Sequence, residues 1–153
     1  MKGQWTNIYS GDLALRSWWV DSVNGCKYVS IVLPEVFGIN NWIRNFSEKL
    51  AQQNVSVLAL PLYGRTAPNL DLEYGEEDLK LGRHHKNLTT LKNIIEDVSA
   101  AINWVKEKYP SKKISIIGFC FGGHAAFIAS SLKGIESSFC FYGAGIVSLR
   151  NDT

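Results

Sequence analysis

Ile114-Ser115-Ile116-Ile117-Gly118-Phe119-Cys120-Phe121-Gly122-Gly123-His124-Ala125-Ala126-Phe127 is the stretch that decides how the rest of the chain is read. A β-branched apolar run ends at a glycine, meets a cysteine, passes two more glycines and continues in small residues suited to a helix. This is the G-x-Cys-x-G-G arrangement of a nucleophile elbow, with cysteine where G-x-S-x-G has serine. A strand that turns straight into a helix leaves no room for side chains two residues either side of the nucleophile. Gly118, Gly122 and Gly123 meet that steric demand. Cys120 is left at the strand tip beside a helix N-terminus, whose partial positive charge favours a thiolate. Phosphate-binding turns fit poorly, because neither G-x-x-x-x-G-K-[ST] nor G-x-G-x-x-G is met here.

Working outward, a helix is expected over Leu88 to Tyr109. Leu91, Ile94, Ile95, Val98, Ala101, Ile102 and Val105 form its apolar stripe, Asn87 its N-cap and Pro110 its stop. After the elbow, a helix from Phe121 to Leu132 precedes a strand, Ser138 to Tyr142, that closes on Gly143-Ala144-Gly145. Upstream, Tyr28–Leu33 and Val55–Leu60 are short apolar runs of the kind buried on both faces of a parallel sheet. Between them a helix from about Asn40 to Gln53 carries Trp42, Ile43, Phe46 and Leu50 on one face. Tyr9 to Asp21 reads as one or two strands with a turn at Ser10-Gly11-Asp12. Leu62 to about Lys86 reads as a long irregular segment, which in a compact domain is functional or holds short helices. Strands alternating with helices predict a parallel α/β sheet with helices on both faces, in a single domain over residues 1–153.

Composition narrows the function. A net charge of +2 points to neither nucleic acid nor an anionic membrane, and no apolar run approaches the ~18 residues of a membrane span. Three cysteines without a disulfide framework suit a reducing cytoplasm. Of these, Cys26 sits in a polar turn, and Cys140, inside Phe139-Cys140-Phe141-Tyr142, reads as core. The adjacent pair His84-His85 lacks metal-ligand spacing, so neither a metal nor a cofactor is expected.

Three stretches together resemble the dienelactone hydrolases, a cysteine-nucleophile branch of the α/β-hydrolases. They are Val32-Leu-Pro-Glu35-Val36-Phe37-Gly38, Ala59-Leu-Pro61-Leu-Tyr63-Gly64-Arg65, and Gly118-Phe-Cys120-Phe-Gly-Gly123 followed by Phe141-Tyr-Gly143-Ala-Gly145. The resemblance implies an α/β-hydrolase-type, mostly parallel sheet and a small-molecule ester or lactone as substrate. It makes Cys120 the nucleophile and Glu35 the hydrogen-bond partner of its resting thiol. A carboxylate there disfavours thiolate and keeps the cysteine protonated until substrate disturbs the pair. The same resemblance places the oxyanion hole at the backbone N–H groups of Val36 and Phe121. Arg65 matches a position that could face an anionic substrate, and Arg83 is the other arginine that could do so.

One departure from the family pattern is large. Family members carry a triad running Cys…Asp…His, with acid and base on loops after later strands. Beyond Cys120 this sequence has only Glu136 and Asp152 as acids and only His124 as histidine. Asp152 comes too early to match the family aspartate, and His124, one turn into the elbow helix, reads as a packing residue. The expectation is therefore a sheet lacking the C-terminal strands and helices of the family, with the triad Asp and His missing from this chain. Ser138–Tyr142 would then be an apolar edge strand open to self-association. The competing expectation is a non-catalytic, hydrolase-like binding domain or inactive fragment. Nucleotide binding at Gly143-Ala144-Gly145 lacks a third glycine.

Overall fold

A computed structural model describes residues 2–22 and 24–148. Asp152 and the residues around it lie outside that range.

The chain opens with a hairpin, β1 (Gln4–Ser10) and β2 (Leu13–Val20), antiparallel and turned at Gly11 in the left-handed region. Then follow β3 (Tyr28–Leu33), α1 (Asn41–Ala51), β4 (Val55–Ala59), α2 (Glu76–Leu88), α3 (Leu91–Lys108), β5 (Lys113–Phe119), α4 (Phe121–Ala129) and β6 (Ile135–Phe141). The six strands form one sheet in the order β1-β2-β4-β3-β5-β6. β4, β3, β5 and β6 run parallel, and the hairpin joins antiparallel at β2. The fold is the expected mostly parallel sheet flanked by helices.

Side-chain alternation along the central strands feeds two cores. Val29, Ile31 and Leu33 pack with Ile94, Val98, Ala101 and Ile102 of α3 and with Ala125, Ala126 and Ala129 of α4. Val32, Val57, Ala59 and Phe119 pack instead with Ile43 and Ala51 of α1. Helices therefore cover both faces, but unequally. On the α1 face, Ser30, Ser115, Ile117, Phe46, Leu50, Phe139 and Phe141 line an open, mostly apolar trough of about 460 Å³.

Four expectations need correction. The segment read as irregular holds the 13-residue helix α2. It escaped notice because its apolar content is low and its N-cap, Gly75, offers no side-chain bond. Acids in its first turn and His85 and Lys86 in its last complement the helix dipole instead. Next, α3 starts at Leu91 rather than Leu88. Thr90 accepts from Asn93 N at 3.1 Å while the Asn93 side chain accepts from Thr90 N at 3.3 Å, a reciprocal cap stronger than the one expected of Asn87. Finally, Cys140 is exposed, because β6 is the rim of the sheet and has a neighbour on one side only. Cys26 turns out to be buried, its Sγ 3.1 Å from Ser56 Oγ.

Candidate active site

The site lies at the C-terminal ends of β3, β5 and β6, where parallel sheets collect functional groups. Leu33 pairs with Gly118 and Phe119 with Phe141, so Glu35, Cys120 and Tyr142 stand in a row across three neighbouring strand ends. Cys120 occupies the centre. Its backbone has φ 53° and ψ −115°, a strained conformation for a residue with a Cβ. Hydrogen bonds on both sides hold it there. Cys120 N donates to Phe141 O at 3.0 Å, and Cys120 O accepts from His124 N and Ala144 N, each at 3.1 Å. Gly143-Ala144-Gly145 thus serves to brace the elbow.

The elbow glycines are required by close approach. A Cβ on Gly118 would lie 2.8 Å from Ala126 Cβ and closer still to Gly122 O. One on Gly122 would lie 2.5 Å from the Leu33 carbonyl carbon and closer to the oxygens of Leu33 and Pro34. Removing those side chains lets the first turn of α4 sit directly on the end of β3. Phe121 is the first residue of α4, so its N–H has no acceptor within the helix. On the facing loop, Val36 N has no protein acceptor among the described residues. Both residues are buried. Packing backs the Val36 loop firmly: Gly82 of α2 lies against the Val36 carbonyl, where a Cβ would come within 3.0 Å of its carbon.

Around the elbow stand groups that the sequence did not single out. Tyr74 Oη donates to Glu35 Oε2 at 2.8 Å, and Tyr142 Oη to Glu35 Oε1 at 3.2 Å. Among the described residues no hydrogen bond joins Glu35 to Cys120 Sγ; its two oxygens accept from the two phenols instead. Tyr142 is pushed up to about 12 by burial first and then by Glu35, Tyr74 and Cys120. Tyr63 stacks on Phe121 at 6.1 Å and is almost fully buried. Burial raises its phenol well above the ordinary tyrosine range, and a charged Cys120 raises it further. Its hydroxyl finds no partner among the described residues. Sequence separations of 39 and 107 residues explain why no local pattern could pair Glu35 with Tyr74 and Tyr142.

Arg65, the arginine expected to face a substrate, forms two ion pairs. Its guanidinium is engaged by α3, with Nη1 2.5 Å from Asp97 Oδ2 and Nη2 3.1 Å from Glu96 Oε2. Asp97 is buried, so the arginine neutralises an interior acid. Arg83 lies on an exposed position of α2. His124 is buried beneath the elbow, its proton affinity lowered by burial and then by the charge of Lys86. His85 bonds Thr66 Oγ1 at 3.0 Å. Among the described residues no histidine ring hydrogen-bonds Cys120, and no cluster of His, Cys, Asp and Glu suits a metal ion.

A mostly parallel sheet whose central strand delivers a residue through a glycine-lined elbow, beside free backbone N–H donors, defines the α/β-hydrolase fold. Within it, this chain belongs to the dienelactone hydrolase family, whose family model matches residues 19–153. A Synechocystis sp. protein provisionally named a carboxymethylenebutenolidase is 34% identical over 120 residues, covering 77% of this chain and 49% of its own length. The Pseudomonas putida carboxymethylenebutenolidase is 25% identical, with 77% and 51% covered. The crystal structure of a Klebsiella pneumoniae protein provisionally assigned as a dienelactone hydrolase superposes with a TM-score of 0.77 at 22% identity, covering 92% of this chain and 59% of that one. The chain spans about half the length of the curated relatives it matches. No helix of the described residues is long and apolar enough to cross a membrane.

Proposed function

We propose that this chain carries the nucleophile and oxyanion hole of a carboxylic-ester or lactone hydrolase, with Cys120 as nucleophile. The observation that carries the reading is the strained Cys120 at the elbow beside two backbone donors, Val36 N and Phe121 N, that have no protein acceptor among the described residues. The Cys120 thiolate attacks the ester carbonyl carbon, and the carbonyl electron pair moves onto oxygen. Two fixed N–H donors then stabilise that oxyanion, each contributing roughly 2.7–4 kcal/mol in comparable sites. Collapse expels the alkoxide, which takes a proton, and leaves a thioester on Cys120. Water attacks the thioester and releases the carboxylic acid and the thiol. In a lactone, the alcohol stays tethered to the acyl group throughout, and the second step releases a single hydroxy acid. A thiol nucleophile suits a reducing, cytoplasmic setting.

A thiolate at the elbow can be acylated by an activated ester unaided, but sustained turnover needs a base to move protons, above all from the attacking water. Among the described residues no ring of His84, His85 or His124 hydrogen-bonds the thiol, so we assign the base and its orienting acid to residues outside the described range. The same observation favours the second reading, a hydrolase-like binding domain without catalysis. The test joins residues 1–148 to the remaining half of the Synechocystis relative and measures hydrolysis of an activated aryl ester. Turnover that disappears in Cys120→Ala supports the hydrolase. Turnover by the 153-residue chain alone, lost in His124→Gln, would place the base within this chain and overturn the assignment.

A further inference from the structure

We propose that Tyr74 and Tyr142 are positioning residues for Glu35, holding its carboxylate by two donated hydrogen bonds at the mouth of the elbow and off the Cys120 thiol. The proposal rests on the reading of Cys120 as nucleophile and adds what controls the acid beside it.

The sheet geometry carries the inference. β3 and β6 are both neighbours of β5, so their ends are two strand spacings apart, roughly 10 Å. Glu35 follows β3 and Tyr142 follows β6, yet Oε1 and Oη meet at 3.2 Å. The pair therefore reaches across the tip of β5, which ends in Cys120. Tyr142 holds this pose with φ 37°, in the left-handed region where a residue with a Cβ is strained. The other oxygen is taken by Tyr74 at 2.8 Å, whose ring stands edge-on to Phe37 with centroids 4.7 Å apart. Each oxygen is engaged by one phenol, so Glu35 is held between Tyr74 and Tyr142, and no hydrogen bond joins it to Cys120 Sγ among the described residues. A carboxylate turned to the thiol would hold the proton on sulfur through like-charge repulsion of the thiolate. The two phenols thus keep the nucleophile available. The titratable groups facing this pair are Cys120, near Tyr142, and Glu73, beside Tyr74.

Tyr74 is 56% and Tyr142 62% exposed, so loss of either hydroxyl leaves the core intact. The experiment measures iodoacetamide alkylation of Cys120 by peptide mass mapping from pH 6 to 9. It compares the unaltered chain with Tyr74→Phe, Tyr142→Phe and the double variant, each also combined with Glu35→Gln. The double variant is expected to alkylate about 10-fold more slowly near neutral pH, as a freed Glu35 takes the thiol proton's hydrogen bond. In the Glu35→Gln background the same changes should alter the rate less than about two-fold. An unchanged rate in the double variant overturns the proposal. So does a slowdown that persists without the Glu35 carboxylate, which would mark a structural effect. A second readout does not depend on Cys120 reactivity: the Glu35 side-chain carboxyl ¹³C resonance should move on each Tyr→Phe change. A resonance that stays put overturns the proposal even where Cys120 is the nucleophile, whereas a moving resonance with an inert Cys120 upholds the clamp and sinks the hydrolase reading.

Discussion

Gly122→Ala tests how tightly the elbow is built. The added Cβ would sit 2.5 Å from the Leu33 carbonyl carbon, roughly 0.9 Å inside the 3.4 Å where ordinary contact begins, and nearer still to two carbonyl oxygens. Every obstacle is backbone, so no rotamer change relieves the overlap. Either the first turn of α4 lifts from the end of β3 or β3 itself gives way. Overpacking commonly costs 1–3 kcal/mol, and backbone on every side puts this case near about 3 kcal/mol. For a domain of this size that lowers Tm by about 6–12 °C. The same lift separates Phe121 N from Val36 N, and a misplacement near 1 Å costs acylation about 100-fold. Thermal unfolding followed by circular dichroism reads the first effect and acylation of Cys120 the second. Gly75→Ala is the control, since a Cβ there meets nothing within 4 Å and its φ is −122°. Its change should stay under about 1 kcal/mol, the loss at the helix cap being offset by a less flexible unfolded chain. Equal Tm values for the two alanine variants would refute the close-approach argument.

The remaining expectations concern stability and association. Arg65→Met leaves the Asp97 carboxylate buried and uncompensated, and chemical denaturation should show a loss of about 3 kcal/mol, the low end of such cases because Arg65 itself is 31% exposed. Adding Asp97→Asn should recover part of it; no loss in Arg65→Met would show that the pair is not structural. The proton affinities of His124 and His85 are lowered in the fold, by burial first and then by Lys86 and His84 respectively. The unfolded chain therefore binds protons that the fold does not, and stability should fall as pH drops below about 6.5. His124→Gln should flatten that fall, and an unchanged pH profile would contradict it. Phe139 and Phe141, 49% and 48% exposed on the rim strand, are expected to drive self-association of the 153-residue chain through β6. Sedimentation should show larger species that disperse in Phe139→Glu/Phe141→Lys, and a monomer in the unaltered chain would refute it.

What could be read from sequence follows the range of the constraint. The elbow was legible because its demands are local: a strand-to-helix turn needs glycine two positions either side, whatever the rest of the fold does. The order of strands and most helices followed from apolar spacing for the same reason. The ion pairing of Arg65 was not legible because its partner Asp97 lies 32 residues away, on a helix whose face toward the loop no local pattern specifies. Cys140 misled because an unbroken apolar run reads as burial on both sides, while β6 is paired on one. Glu35 was placed correctly at the end of β3, but the direction of its carboxylate is set by Tyr74 and Tyr142, which enter from a loop and from another strand.

Intact-mass analysis of the 153-residue chain after brief exposure to an activated acetate ester tests the central claim most directly. One acetyl group gained per chain on the peptide bearing Cys120, with release of one equivalent of the leaving phenol, and no such gain in Cys120→Ala, is the predicted result. Acetylation confined to the exposed Cys140, with Cys120 unmodified, would contradict the assignment of the elbow cysteine as nucleophile.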